Sequence, residues 1–187
     1  TKSLESAGDV PDVHRAAAER GFRRVGAGRG THPLPERVVM TSLLGRRDTE
    51  LPLATGGTYA RSNANIKLST NPSTLGMFLR QTDLAELPGN VQNIAKDIDG
   101  VLEMTAAHEY AHHIHLSGLV RAQVLGGKDA ADQLIEAAFA DRERQLVSRY
   151  AAWNHAEYWA ESLVAYHYYP RDWLAAQAPK VITLVEN

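Results

Sequence analysis

The stretch His108-Glu109-Tyr110-Ala111-His112 is an H-E-x-x-H pattern and carries the clearest chemical content of the chain. Two histidines four apart on a helix are separated by just over one turn, a rise of about 6 Å, so both imidazoles leave one face and can grip one ion. Glu109 follows the first of them on an adjacent flank, where a carboxylate can polarise a water held by the ion and carry away its proton. The chemistry such a trio serves is metal-assisted hydrolysis. Residues 101–116 read VLEMTAAHEYAHHIHL, a strongly helical run, and Ser117-Gly118 supply a stop. His115 shares the face of His108 and His112, but it lies about 10 Å from His108 along the axis and cannot join the same tetrahedral ion. It is expected to be packed or solvated. The bland alternative is a histidine-rich surface helix.

A catalytic zinc site needs a third protein ligand and an open position. The extended H-E-x-x-H-x-x-G-x-x-H signature is absent, because Gly118 stands where its last histidine belongs. Candidates further on are His155, His167, Glu136, Asp141, Glu143, Glu157 and Glu161. Glu157 and Glu161 are four apart and share a helix face as the histidines do. One carboxylate can then ligate the ion while the other accepts a hydrogen bond from a ligand histidine's remaining N–H. Glu157 is read as the ligand and Glu161 as its supporting partner. Asn154-x-x-Glu157 is also a capping-box pattern, so spacing alone leaves ligand and cap both open.

The segment Tyr150-Ala-Ala-Trp-Asn154-His-Ala156-Glu157-Tyr-Trp-Ala160-Glu161, taken with the H-E-x-x-H helix, resembles the gluzincin peptidases of the anthrax lethal factor type, a group that includes the clostridial Pro-Pro endopeptidases. Their arrangement is Y-x-x-x-N-x-A-E-[FY]-[FW]-A-E on a second helix whose glutamate completes the zinc site. The resemblance spans residues from about 100 to 169, and the N-terminal hundred residues do not align with the family. It implies that His108, His112 and Glu157 bind one catalytic zinc ion and that Glu109 is the general base. It further implies that Tyr150 donates a hydrogen bond to the tetrahedral oxyanion or the leaving amine. The expected activity is zinc-dependent endopeptidase action on a protein or peptide substrate running antiparallel along a sheet edge. Together with a chain that opens on Thr1 and not on methionine, the family suggests a catalytic domain excised from a larger polypeptide such as a toxin or effector, secreted or delivered with it. Two alternatives stand beside it. One is a zinc-containing domain that binds peptide or a partner without turnover; the other is a phage or regulatory peptidase acting within its own cell.

The elements that must position these residues can be read coarsely. Pro11 opens a helix over 12–22, and residues 26–35 are rich in breakers and read as a loop. Residues 37–43 are the first strand candidate, and 64–70 alternate apolar and polar residues as a half-buried or edge strand does. Residues 57–70 are the candidate substrate edge, with 37–43 as the alternative. Gly56-Gly57 is read as a turn, with a flap hinge as the alternative. Helices are expected over 72–80, 90–98, 101–116, 129–147 and 154–168, with a helical tail over 171–186. A short mixed sheet followed by helices predicts an α+β, zincin-like domain. The boundaries expected are a helical lead over 1–30 and the metallopeptidase domain over 31–187. Trp153, Trp159 and Trp173 fall at helical positions and are read as core, with a substrate platform as the alternative; Tyr166, Tyr168 and Tyr169 are also read as packing, with a wall of the cleft as the alternative. His14 and His32 are read as surface.

Composition narrows the classes. The 187 residues carry a formal net charge of −2, which gives no electrostatic reason to expect nucleic acid. Arg20, Arg23, Arg24 and Arg29 are read as a solvated face. With no cysteine in the chain, disulfide scaffolds, thiolate zinc sites and cysteine nucleophiles are excluded. No apolar run approaches the roughly eighteen residues that a membrane span needs. The first thirty residues are polar and show no signal peptide.

Overall fold

The computed structural model describes residues 4–26, 35–43, 56–61, 64–71, 87–117, 128–141 and 143–186. In chain order the elements are β1 (Leu4–Ala7), α1 (Asp12–Arg24), β2 (Arg37–Thr41), β3 (Gly57–Ala60) and β4 (Asn65–Ser69). Helices follow: α2 (Gly89–Ile94), α3 (Ile98–Leu116), α4 (Lys128–Ala140), α5 (His155–Tyr168), α6 (Arg171–Gln177) and α7 (Pro179–Glu186), with a 3-10 turn at Tyr150–Ala152 before α5. The chain is thus mixed α+β, a small four-stranded sheet followed by a helical C-terminal half. No described helix is long and apolar enough to cross a membrane.

The sheet order is β1-β2-β4-β3. β1 and β4 both pair parallel with β2, and β3 pairs antiparallel with β4 in the register Gly57 with Leu68 and Tyr59 with Ile66. β2 is therefore interior, with Val38, Val39 and Met40 buried, so the alternative of residues 37–43 as a free edge does not hold. Among the described residues β3 is an outer strand and β4 is interior, so of the expected edge over 57–70 only β3 qualifies. β1 has no strand signature in its sequence, Leu-Glu-Ser-Ala. It forms because α1 carries the chain back to lay β2 parallel to it, and such pairing outweighs weak intrinsic preference.

α1 meets α3 through small residues. Ala17, Ala18 and Gly21 are buried on one face of α1, and a Cβ added at Gly21 would collide with the backbone carbonyl of Glu103. Only glycine permits that approach. Phe22 then packs edge-on against Tyr110 of α3, with ring centroids 6.1 Å apart. Each such buried aromatic contributes on the order of 2–3 kcal/mol. At the rim, His14 Nδ1 lies 2.6 Å from Asp99 Oδ1 and Arg20 Nε donates to Glu103 at 2.9 Å. His14 is thus a part-buried partner of α3 and not a surface histidine. Arg24 stacks its guanidinium over Tyr168, 4.3 Å from the ring centroid.

Several expected bounds shift for local reasons. The helix expected over 90–98 ends at Ile94, because Asp97 accepts from Gly100 N at 2.8 Å and caps α3 instead. The helix expected to run to 147 ends at Ala140, where Asp141 turns the chain by accepting from Glu143 N at 2.9 Å. The tail is two helices, broken at Ala178 before Pro179. The helix expected over 72–80, His32, Arg29 and most of the loop over 26–35 lie outside the described residues.

Candidate metal centre

α3 is buried on nearly all sides, enclosed by α1, by β3 and β4, and by α5. His112, His113 and His115 are all buried, which removes the surface-helix reading. α5 begins at Asn154, whose side chain accepts from Glu157 N at 2.9 Å. That is half of a capping box. The Glu157 carboxylate does not complete it but turns toward α3, so the cap uses the backbone N–H and leaves the carboxylate facing the two histidines. Trp159 Nε1 donates to the carbonyl of Ala111 at 3.0 Å, fixing which turn of α5 faces the ligand-bearing turn of α3.

Three donor atoms converge there. His108 Nε2 lies 3.1 Å from His112 Nε2, and Glu157 Oε2 lies 3.0 Å from the first and 3.2 Å from the second. A tetrahedral ion with bonds of about 2.0–2.1 Å holds its ligands roughly 3.3–3.4 Å apart. The triangle matches that size within a few tenths of an ångström, so His108, His112 and Glu157 could hold a metal ion. His108 reaches the cluster through Nε2 because its Nδ1 is bonded to Glu161 Oε1 at 2.8 Å. Among the described residues, His112 Nδ1 has no hydrogen-bond partner.

Electrostatics follow from this crowding. Burial works against a charge on His108, but the hydrogen bonds from Glu157 and Glu161 hold its pKa well above the usual imidazole range. Burial likewise disfavours charge on Glu157, yet the two histidines bring its pKa down to about 2.

Glu109 is buried, and desolvation raises its pKa above the ordinary carboxylate value. It stands against Gly57 at the start of β3. A Cβ at Gly57 would lie 2.8 Å from both Cγ and Oε1 of Glu109 and 3.0 Å from Thr105 Cγ2. Gly56-Gly57 therefore does not form the expected turn. Gly56 O accepts from Ser69 N at 2.8 Å, and Gly57 opens a strand where only a missing side chain leaves room for the glutamate. Two residues on, Tyr59 packs on His113, ring centroids 5.6 Å apart. β3 thus runs alongside α3 in the same direction, two strand residues matching four helix residues.

Tyr150 sits in the 3-10 turn before α5, its ring tilted over His108 with centroids 5.8 Å apart. The residue is 42% exposed, and partial burial first, then the negative carboxylates and a hydrogen bond to Glu157, keep its hydroxyl protonated well beyond neutral pH. Trp153 overturns its expected place in the core: it is 72% exposed and meets Tyr150 edge-on at 5.4 Å. Trp159 is buried as expected, and Trp173 packs partly against the core. Tyr168 and Tyr169 are core, while Tyr166 bonds Glu186 at the surface. His115 is fully buried and bonded to Asp132 Oδ1 at 3.0 Å.

Glu109, Glu157, Glu161 and Tyr150 are thus gathered around the histidine pair. Among the other third-ligand candidates, none joins the ion-sized group of the described residues. The sequence carries no signal for the approach of Gly57 to Glu109 or for the exposure of Trp153. A glycine read for turn propensity gives no hint of what its backbone approaches, and a tryptophan at a helical position is usually buried. Compared with known proteins, the chain matches no family model, no curated protein and no solved structure.

Proposed function

We propose that this chain is a zinc-dependent endopeptidase with a zincin-like fold, in which the small sheet lies against the H-E-x-x-H helix and α5 brings the third ligand. The observation that carries the reading is the ion-sized triangle of His108, His112 and Glu157 with the buried Glu109 beside it. Two imidazoles and one carboxylate form a donor set that suits zinc and leaves a fourth position open. His108, His112 and Glu157 would hold the zinc ion, whose Lewis acidity would lower the pKa of water and polarise a carbonyl.

The chain's own residues do the rest. Glu161 fixes the His108 ring and its tautomer through Nδ1. Glu109, made more basic by burial, takes the proton of the attacking water and returns it to the departing amine nitrogen. Tyr150, a phenol that stays protonated, donates its O–H to the developing oxyanion or to that amine. β3, the outer strand next to Glu109, offers its backbone for antiparallel pairing with an extended substrate. The resemblance to the lethal factor type of gluzincin, confined to α3 and the segment through α5, supports the same assignment of roles.

The test is to purify the protein and its Glu109→Ala variant, then measure zinc content and cleavage of a peptide library. The expected result is about one zinc in each, with cleavage by the unaltered protein only. Zinc in both with cleavage by neither would favour a non-catalytic binding domain, and no zinc in either would sink the reading.

A further inference from the structure

Trp153 is the most exposed of the large apolar side chains among the described residues, and it stands beside the metal centre. An indole left in water gives up one of the largest burial gains available to a side chain. Its position is not a matter of chance placement on a loose segment. Trp153 N donates to Tyr150 O at 3.1 Å, closing the 3-10 turn, and the next residue, Asn154, caps α5. Ala151 within the turn is fully buried, and its N–H donates to Ser148 Oγ at 3.1 Å. The backbone on both sides of the indole is therefore anchored, and the ring's edge-on contact with Tyr150 orients it. A pre-organised aromatic surface binds without the cost of ordering it.

We propose that Trp153 is a specificity determinant that docks an aromatic side chain of a peptide substrate close to the scissile bond. This rests on the peptidase reading and adds the class of residue selected. Two ring-to-ring steps, 5.8 Å from His108 to Tyr150 and 5.4 Å from Tyr150 to Trp153, lead from the metal ligands to the indole. At roughly 3.3 Å per extended residue, they cover no more than about three substrate positions. An aromatic ring suits the platform because offset and edge-on ring pairs are favourable, the mode Tyr150 already uses.

The experiment uses the full chain loaded with zinc in the Glu109→Ala background, which can capture peptides without cutting them. The probe is a set of decapeptide pools in which each position in turn is fixed as Phe, Leu, Lys or Ala. It is run with Trp153, Trp153→Phe and Trp153→Ala, and each captured pool is quantified. The same three residues at 153 are compared for cleavage with Glu109 intact. The proposal expects enrichment of Phe at one position. Trp153→Ala should lower that enrichment about tenfold, equal to about 1.4 kcal/mol, and Trp153→Phe should retain most of it. Cleavage should show the same preference, with Trp153→Ala raising KM for the Phe peptide and leaving kcat nearly unchanged. Equal Phe enrichment with and without the indole would overturn the proposal, as would a Lys preference that Trp153→Ala abolishes. Cleavage with no preference at any position would overturn it too, while leaving the peptidase reading intact. Neither capture nor cleavage of any pool by any form would overturn both.

Discussion

At the scale of single residues, the site depends on atoms being assigned one task each. Glu157 uses its backbone N–H to receive the Asn154 cap and its carboxylate to face two imidazoles. His108 uses Nδ1 for Glu161 and Nε2 for the cluster. Removing Glu161 leaves the three proposed ligands in place but frees the His108 ring to turn. Partners of this kind typically contribute 10- to 100-fold in metal affinity. Glu161→Ala is therefore expected to weaken zinc binding by about that factor, read by competition with a chromophoric chelator. An unchanged affinity would show that Glu161 does not orient the ligand. The i, i+4 spacing made both pairs legible in the sequence, since helix geometry alone places such residues on one face. It could not say whether Glu157 serves as cap or ligand, because that depends on where α3 lies.

At the scale of elements, the contact between β3 and α3 is the tightest constraint on the proposed base. Gly57 and Glu109 are far apart in sequence, yet an added methyl would press on the carboxylate at 2.8 Å. Overpacking of this sort costs about 1–3 kcal/mol where neighbours cannot move. Gly57→Ala should lower thermal stability, and it should lower it much less in a Glu109→Ala background, where the space is open. Gly56→Ala serves as the control, since its Cβ would meet Thr105 at an ordinary 3.7 Å. Equal losses from Gly57→Ala in both backgrounds would mean that Glu109 is not the neighbour that matters. The helices were legible as segments from runs of good helix formers bounded by start and stop residues such as Pro11, Asn154 and Ser117-Gly118. Their ends were less so: Asp97 and Asp141 act through side-chain bonds to backbone N–H groups, which composition does not reveal.

For the whole molecule, the charges drawn together at the centre link folding to pH. The pKa of Glu157 falls from an ordinary 4.5 to about 2, so its contribution is present above 4.5 and lost as pH falls toward about 2. The pKa of His108 is raised well above 6.5, so its contribution is complete below 6.5 and lost as pH climbs through the raised value. Glu109, raised by burial, loses stability as pH rises from 4.5 through its own raised pKa, which trims the alkaline side. The chelator-treated protein is therefore expected to show its highest melting temperature between 4.5 and 6.5. Added zinc should move the optimum to higher pH, because binding requires imidazole nitrogens free of protons. A scan of melting temperature against pH, with and without zinc, checks this. A flat metal-free profile across that window would contradict the coupling.

By itself, the sequence determined what local geometry can determine. A repeat of about 3.6 residues per turn puts His108 with His112 and Glu157 with Glu161, and Asn154 at a helix start predicts a cap. The tertiary structure decided everything that crosses between elements. Small residues on α1 let it close on α3, Trp159 bonds the Ala111 carbonyl, and α5 is thereby held with Glu157 at the histidine pair and Glu161 behind it. The same packing set Gly57 against Glu109 and left Trp153 in solvent. These outcomes depend on which surfaces exclude water together, and no run of neighbouring residues encodes that alone.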